Sequence, residues 1–279
     1  MFCKYRSCHF IQKYGGDQSM SNKKAPALFV GHGSPLNAIE NNEFTAEWER
    51  LSQEFDAPNA ILSVSAHWYT DGTRITDDPH PKMIYDMYGF PEELYRVSYP
   101  AKGASDLAHA TADMIESEVV FDRSWGYDHG TWSVLSRMYP HADIPVYQMS
   151  VNRNANVSEH YRIGQNIAKL REQGVMIFGS GNIVHNLSMV NYEMSGGYPF
   201  AEQFDRYIAE NIKKRDFEKI LQYNRVENGH DFAFITPDHY DPLLYVLGAS
   251  DESDQLHIFN KKCVMGSMSM TSYLFRNES

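Results

Sequence analysis

The chain has 279 residues with 42% hydrophobic content, which suits one large α/β domain or two small ones and allows a sizeable core. Its formal net charge of -11 argues against non-specific attraction to nucleic acid or anionic membranes, and no apolar run approaches the roughly 20 residues of a membrane-spanning helix. The three cysteines form neither a disulfide framework nor a CxxC metal motif, which is typical of proteins from a reducing cytoplasm.

The N-terminal segment differs from the rest of the chain. Residues 1–24 are polar and mixed, without hydrophobic periodicity and without the apolar core of a signal peptide. We predict that they form a disordered or dispensable extension and that residues 1–19 contribute little to stability; a targeting role is the alternative. Residues 25–279 contain no internal repeat and no low-complexity linker, so we predict a single domain there.

Three short apolar runs each lead to a histidine. Residues 27–30 precede Gly31-His32-Gly33, residues 60–65 precede His67, and residues 175–180 lead through a glycine to His185. Runs of this length are typical of buried strands, and open α/β sheets bind ligands at the carboxyl ends of their strands. Residues 45–55 have helical spacing between the first two runs, which predicts a parallel strand–helix–strand unit.

The remaining elements follow in chain order. Residues 71–100 are aromatic and interrupted by proline and glycine, which is typical of a functional loop or lid; their aromatic side chains are core or lid residues, or alternatively a wall for an aromatic substrate. A further helix is predicted to open at Thr236-Pro237 and to close at Gly248. The other predicted helices cover residues 105–118, 132–139, 158–173, 200–214 and 217–224, and the other predicted strands cover residues 119–121, 145–150, 257–259 and 268–275.

Histidines are the candidate site residues. Taken alone, each of them also suits a hydrogen-bonded structural role, but four that follow strands or a proline cap predict one shared metal site, with His32, His67, His185 and His239 as ligands. His129 lies between Asp128 and Gly130 in an aromatic stretch. It is either a general acid or base, since an imidazole titrates near pH 6.5, or a turn histidine bound to a backbone carbonyl.

Other site types lack their motifs. The Gly31-His32-Gly33 stretch has neither the GxGxxG spacing nor the Lys-Ser/Thr end of a phosphate loop. The sequence contains no GxSxG nucleophile elbow and no HExxH metalloprotease pair.

Taken together and in this order, the motifs resemble the class III extradiol ring-cleavage dioxygenases, in the branch of DOPA 4,5-dioxygenase-like proteins. The resemblance covers about residues 25–275, and the set of motifs is specific where no single motif is. The matching segments are residues 26–35, 65–68, 127–132, 180–186, 237–244 and 266–270.

The resemblance implies a single α/β domain, residues 25–279, with a central, mostly parallel sheet flanked by helices and a metal site at the carboxyl ends of its strands. His32, His67 and His239 match metal-ligand positions, and His129 matches an acid/base histidine that is not a ligand. His185 matches a histidine that binds zinc in some members and lies near the catalytic base in related enzymes. A glutamate often stands where this chain has His239, so the site suits Zn(II) as well as Fe(II).

The implied activity is the opening of a catechol ring beside its hydroxyl groups, with O₂ as co-substrate and Fe(II) as the metal for cleavage. His185 or His129 would accept a phenolic proton. No nucleic-acid or membrane partner is expected. Two alternatives stay open: a zinc-dependent hydrolase that uses the same histidines to activate water, and a catalytically silent metal-binding protein on the same fold.

Overall fold

A computed structural model describes residues 24–226 and 230–277 of the chain. The extension predicted for residues 1–24 therefore lies outside the described residues, apart from Lys24. None of the helices within the described ranges is long and apolar enough to cross a membrane.

The domain is organised around one large mixed sheet. Its strand order is β4-β3-β5-β2-β6-β1-β10-β7, and a separate two-stranded sheet pairs β8 with β9. The strands are β1 (Ala27–Gly31), β2 (Ala60–Thr70), β3 (Thr73–Thr76), β4 (Val119–Asp122), β5 (Val146–Asn152), β6 (Val175–Gly181), β7 (Gln255–Phe259), β8 (Cys263–Val264), β9 (Met268–Ser269) and β10 (Ser272–Arg276).

The centre of the large sheet is parallel. Strands β5, β2, β6 and β1 pair in parallel, whereas β10 and β7 run antiparallel at one edge and β3 pairs antiparallel with β5 towards the other. Every residue of β1 and β6 is buried, as expected for strands covered on both faces. The predicted fold class, a mostly parallel α/β sheet, is confirmed.

Helices cover both faces of this sheet. The α-helices are α1 (Glu43–Leu51), α2 (Ser105–Ala112), α3 (His129–Met138), α4 (Val157–Ile167), α5 (Pro199–Lys213), α6 (Phe217–Leu221), α7 (His230–Ala233) and α8 (Asp241–Ala249). Short 3-10 helices cover Pro35–Ala38, Leu94–Arg96, Ala168–Gln173, Leu187–Met189, Tyr223–Arg225 and Pro237–His239. Helix α8 is apolar on all sides and fully buried, so its sequence places it in the core rather than at the surface.

Three elements near the predicted site differ from the sequence-based boundaries. The helix predicted from Thr236 to Gly248 is divided into a 3-10 helix at Pro237–His239 and α8, which begins at Asp241. The other two changes concern β2 and α3. Strand β2 continues to Thr70 instead of ending at Ser65, so His67 lies within the strand and not after it. Helix α3 begins at His129 rather than at Trp132, because the Asp128 side chain accepts a hydrogen bond from the Thr131 amide and caps the helix. Both changes bring a histidine onto a rigid element.

The segment 71–100 is not one continuous loop. It contributes β3 to the sheet and a short 3-10 helix at Leu94–Arg96, while Tyr99 is buried in the core. Tyr88 is 92% exposed and Tyr85 is 39% exposed, so these two side chains face outwards. The aromatic side chains therefore divide between core and surface.

Candidate metal centre

Three of the predicted ligands meet at the carboxyl ends of the central strands. His32 directly follows β1, His67 lies in the second half of β2, and His239 ends the 3-10 helix before α8. One ring nitrogen from each lies within 4.8 Å of the other two. The end of β1, strand β2 and the 3-10 helix before α8 thus bring the three imidazoles together from three separate elements.

The hydrogen bonds of His32 determine its protonated nitrogen. Its Nδ1 lies 3.0 Å from the Ser180 hydroxyl, and that hydroxyl donates to the Gly130 carbonyl at 2.6 Å. Because the single hydroxyl proton is committed to the carbonyl, Ser180 can only accept from His32. Nδ1 of His32 therefore carries the proton, and Nε2 keeps its lone pair.

Carboxylates determine the other two tautomers in the same way. Nδ1 of His67 lies 3.0 Å from Asp86, and Nδ1 of His239 lies 2.6 Å from Asp238. An ionised carboxylate only accepts hydrogen bonds, so each Nδ1 must be the donor. The Nε2 lone pairs of both rings are then free.

The free lone pairs face one another. Nε2 of His32 lies 3.1 Å from Nε2 of His67, and Nε2 of His239 is buried without any hydrogen-bond partner. Lone pairs so arranged repel unless a cation lies among them, and neutral imidazole is a common ligand of divalent metals at about 2.0–2.1 Å. The three residues fit a bound metal.

His185, the fourth predicted ligand, occupies a different place. Its ring stacks on the His239 ring, with the centroids 3.5 Å apart and the planes 6° apart. Among the described residues it belongs to neither of the two groups whose ligand atoms lie within 4.8 Å of one another, which are His32, His67 and His239, and His67, Asp86 and His129. The structure places it beside the three converging nitrogens, where its role as ligand or base stays a prediction.

His129 lies against the predicted ligand His67 and is hydrogen-bonded to Asp86. Its ring centroid lies 3.8 Å from that of His67, and its Nδ1 lies 3.0 Å from Asp86. The Asp86 carboxylate also accepts the backbone amide of His129 at 2.9 Å. His129 is therefore neither a turn histidine bound to a carbonyl nor a member of the His32, His67 and His239 group.

Asp128, the carboxylate next to His129 in sequence, stabilises the start of helix α3. It is fully buried and accepts hydrogen bonds from Ser65 at 2.7 Å and from Gln148 at 2.8 Å, besides capping α3. These bonds fix the start of α3 against β2 and β5. Their consequence is that the His129 ring has one defined position relative to His67.

Two glycines permit the close approach of these elements. A Cβ atom on Gly130 would lie 2.7 Å from the Ser65 hydroxyl and 2.9 Å from the His67 ring. A Cβ atom on Gly181 would lie 2.1 Å from the carbonyl oxygen of His239. Side chains at either position would force apart the segments that carry the histidines.

The comparisons with known proteins agree with this geometry. The family described as the catalytic LigB subunit of aromatic ring-opening dioxygenase matches residues 26–276. The chain belongs to this family. It is a class III extradiol dioxygenase, as the sequence motifs predicted, and its relatives imply an aromatic substrate and O₂.

Similar proteins cover nearly the whole length of this dioxygenase. The 4,5-DOPA dioxygenase extradiol of Escherichia coli K12 is 41% identical over 92% of this chain and 96% of its own. The protein of the same name from Beta vulgaris is 34% identical over 89% and 95%. A crystal structure of an uncharacterized Escherichia coli K12 protein superimposes with a TM-score of 0.79, at 38% identity over 90% of this chain and 99% of that one.

The electrostatics of the dioxygenase site favour neutral imidazoles at most positions. Burial and the neighbouring imidazoles lower the pKa of His32 and of His239 well below the usual value. Burial, followed by the proximity of His67, lowers the pKa of His185 to about 4. Burial also lowers the pKa of His67, but the hydrogen bond and charge of Asp86 outweigh it, so that this pKa is raised.

The pKa of His129 and that of its partner are shifted in the same direction. Burial and His67 lower the pKa of His129, and the opposing effect of Asp86 is smaller. Burial raises the pKa of Asp86, but the hydrogen bonds from His129 and His67 reverse this and leave it lowered. The pair therefore consists of a carboxylate and a neutral imidazole.

Sequence reasoning missed Asp86. The carboxylate that contacts His129 is not its sequence neighbour Asp128 but comes from the aromatic segment, 43 positions away. The available signal was weak: Asp86 is a lone acid between Tyr85 and Met87 in an otherwise apolar stretch. Asp238, by contrast, directly precedes His239 in the sequence and contacts it.

Proposed function

We propose that this extradiol dioxygenase depends on one divalent metal and opens the ring of a catecholic, DOPA-like substrate. The observation that supports the metal most directly is the meeting of three imidazole Nε2 lone pairs, one of them buried without a partner. The substrate class rests on the relatives, since two of them carry the name 4,5-DOPA dioxygenase extradiol.

His32, His67 and His239 would hold the metal. When bound, the metal would act as a Lewis acid that orients the catechol oxygens and favours their deprotonated form. Three neutral imidazole ligands would leave the positive charge of a divalent ion uncompensated, so the site would favour an anionic catecholate over a neutral catechol. His185, stacked on His239, borders the same space.

His129 and His185 are the candidates for accepting a phenolic proton. Nδ1 of His129 donates to Asp86, so its Nε2 lone pair is free to accept. The ring lies against His67, which places it next to the metal-binding group without making it a ligand. A general base must come within hydrogen-bond reach of the proton that it removes, and both rings border the centre.

Apolar side chains near His185 supply a surface for an aromatic substrate. The His185 amide donates to Ala233 at 2.7 Å, which brings the segment after residue 230 alongside the site. Leu187, Phe232 and Ile235 lie on these two segments and are exposed. We predict that they, together with the exposed Tyr88 of the segment 71–100, contact the substrate ring and its side chain.

The test is oxygen consumption after defined metal loading. Protein stripped of metal is loaded anaerobically with Fe(II) or with Zn(II), then mixed with DOPA and a series of simple catechols in an oxygen electrode cell. We expect the Fe(II) form alone to consume O₂ and to form the absorbance of a ring-opened semialdehyde. Because the ligands are imidazoles, Zn(II) should compete well, so aerobically purified protein should carry zinc or mixed metal.

Two results would contradict parts of the proposal. If the Fe(II) form consumed no O₂ with any catechol, the catechol assignment would be wrong, and ester or amide turnover by the Zn(II) form would then favour the hydrolase alternative. If the protein bound no divalent metal at all, the metal centre itself would be wrong. His80, an exposed histidine, offers the control variant His80→Ala, which should bind and turn over normally.

A further inference from the structure

One carboxylate connects the metal-binding group to the proton-accepting candidate. Oδ2 of Asp86 lies 3.0 Å from Nδ1 of His67 and 3.0 Å from Nδ1 of His129, while Oδ1 accepts the His129 amide at 2.9 Å. Asp86 therefore contacts both rings on the nitrogens that point away from the metal-binding space. No other described carboxylate is hydrogen-bonded to two of the site histidines.

Asp86 is held by the backbone around it. The amide of Ile84 donates to Tyr127 at 2.7 Å, and the amide of Tyr127 donates to Lys82 at 2.8 Å. The Trp132 indole donates to the Ile84 carbonyl at 3.0 Å. The stretch just before Asp86 is thus fixed to the start of α3, so the carboxylate reaches the histidines from a rigid support and not from a mobile lid.

We propose that Asp86 is a positioning residue that sets the tautomer and orientation of His67 and His129 together. An acceptor at Nδ1 keeps the proton there and leaves Nε2 free on both rings. On His67 the free Nε2 faces His32 and would bind the metal; on His129 it would accept a proton. Outer hydrogen bonds of this kind orient metal-binding histidines and raise their basicity as ligands.

The geometry requires a carboxylate at this position. Oδ1 and Oδ2 together accept from three N–H groups, and an amide can supply only one of those two oxygens. If the amide of an Asp86→Asn variant faced the rings, it would favour the opposite tautomer and place protons on both Nε2 atoms. If it faced the His129 backbone instead, two N–H groups would oppose each other. Either arrangement disturbs the site without changing its volume.

Asp238 provides the matched comparison within the same site. It contacts Nδ1 of His239, again on a proposed metal-binding ring, and within the described part of the chain it makes no hydrogen bond or ion pair with His129. Asp238→Asn should therefore affect metal binding alone, whereas His129→Ala should affect proton transfer alone. Asp86→Asn should affect both, and this double effect is specific to the role proposed here. Glu92→Gln, an exposed carboxylate in the same segment, should affect neither.

The experiment measures metal affinity and ring tautomers in addition to turnover. Zn(II) dissociation constants come from competition with a chromophoric chelator, and long-range proton–nitrogen NMR spectra report the tautomers of His67 and His129. For Asp86→Asn we expect a roughly 10–100-fold loss of Zn(II) affinity and a similar loss of turnover at saturating Fe(II), the usual effect of removing such a partner. Asp86→Glu, which restores a carboxylate, should recover part of both.

The inference rests on the proposed function only for the turnover measurement. If wild-type protein loaded with Fe(II) failed to cleave catechols, the affinity and tautomer results would still decide the role of Asp86. Unchanged tautomers in Asp86→Asn, or loss of only one of the two properties, would overturn it. Binding of two Zn(II) ions per chain, one of them lost in Asp86→Asn, would also overturn it, because Asp86 would then be a ligand.

Discussion

Two buried polar clusters in this molecule differ in how completely their hydrogen bonds are satisfied. Away from the histidines, Arg171 is fully buried, and its side chain donates to Asp254 at 2.6 and 2.7 Å. It also donates to the carbonyls of Ala25, Ala249 and Phe275. All five guanidinium donors therefore have an acceptor.

The histidine cluster is less deeply buried, and its hydrogen bonds are incomplete. The Nδ1 atoms of His32, His67 and His239 each have a hydrogen-bond partner, whereas the Nε2 atoms of His32 and His67 oppose each other and that of His239 has no partner. A satisfied network such as that of Arg171 stabilises the fold. An arrangement of unsatisfied lone pairs costs stability and is retained where a ligand completes it. Substitutions in the two clusters should therefore have opposite consequences.

The largest effect should follow from His32→Ala. Removing one of three ligands should abolish detectable metal binding and reduce turnover to background. The free energy of unfolding of the metal-free protein should fall by only about 1 kcal/mol, the worth of the hydrogen bond to Ser180. Metal analysis and urea unfolding measure the two quantities. A variant that kept its metal would remove His32 from the ligand group.

His129→Ala should leave bound metal unchanged, because His129 is not one of the three proposed ligands, which are His32, His67 and His239. Turnover should fall roughly 10²–10⁴-fold, the usual range for losing a general acid or base. Metal content and the rate at saturating Fe(II) are the measurements. A metal-free variant would place His129 among the ligands, and a fully active one would make its role purely structural.

How much of this could be read from the sequence differs between elements. His32 was predictable because it directly follows β1. That strand is a continuous apolar run, so its end is visible in the sequence as the change from apolar to polar residues. His67 was predicted as a candidate ligand. The sequence placed it after the end of β2, whereas it lies within that strand. The last residues of β2 are polar or aromatic, and only pairing with Val151 and Asn152 keeps them in the sheet.

The partners of the histidines could not be predicted. Ser180 and Asp86 determine the tautomers of His32 and His67, yet neither residue belongs to a recognisable motif with its histidine. Such contacts depend on the register of β1 against β6 and on the path of residues 77–104, which local patterns do not encode. The sequence thus predicts which imidazoles meet better than it predicts which of their nitrogens are free.

Arg171→Met should affect stability and not the site. The substitution leaves Asp254 buried without its main partner, which typically costs about 3–5 kcal/mol. Urea unfolding measures this loss, and the Zn(II) dissociation constant of the folded variant should match that of the wild type. Arg153→Met is the control, since its ion pair with Asp71 is exposed to solvent and should contribute little to stability. Equal losses in both variants would contradict the contrast between the clusters.

The smallest effect should come from a truncation that begins at Met20. Residues 1–19 lack apolar periodicity, and the family match starts only at residue 26. The truncated chain keeps Lys24, which pairs with Asp251, and Ala25, which exchanges hydrogen bonds with Arg171. We therefore expect unchanged metal content and a change in unfolding free energy below about 0.5 kcal/mol.

A second truncation, beginning at Pro26, also removes Lys24 and Ala25. It therefore separates the contribution of residues 1–19 from that of the hydrogen bonds between Ala25 and Arg171. It removes the Ala25 carbonyl, which accepts from Nε of Arg171 at 2.7 Å, and the Ala25 amide, which donates to the Arg171 carbonyl at 2.8 Å. Leaving a buried guanidinium donor unsatisfied costs about 1–3 kcal/mol, so this chain should unfold at clearly lower urea than the one starting at Met20. If the Met20 chain were destabilised to the same extent, loss of the Ala25 hydrogen bonds would not explain the result. Residues 1–19 would then have to contribute contacts of their own.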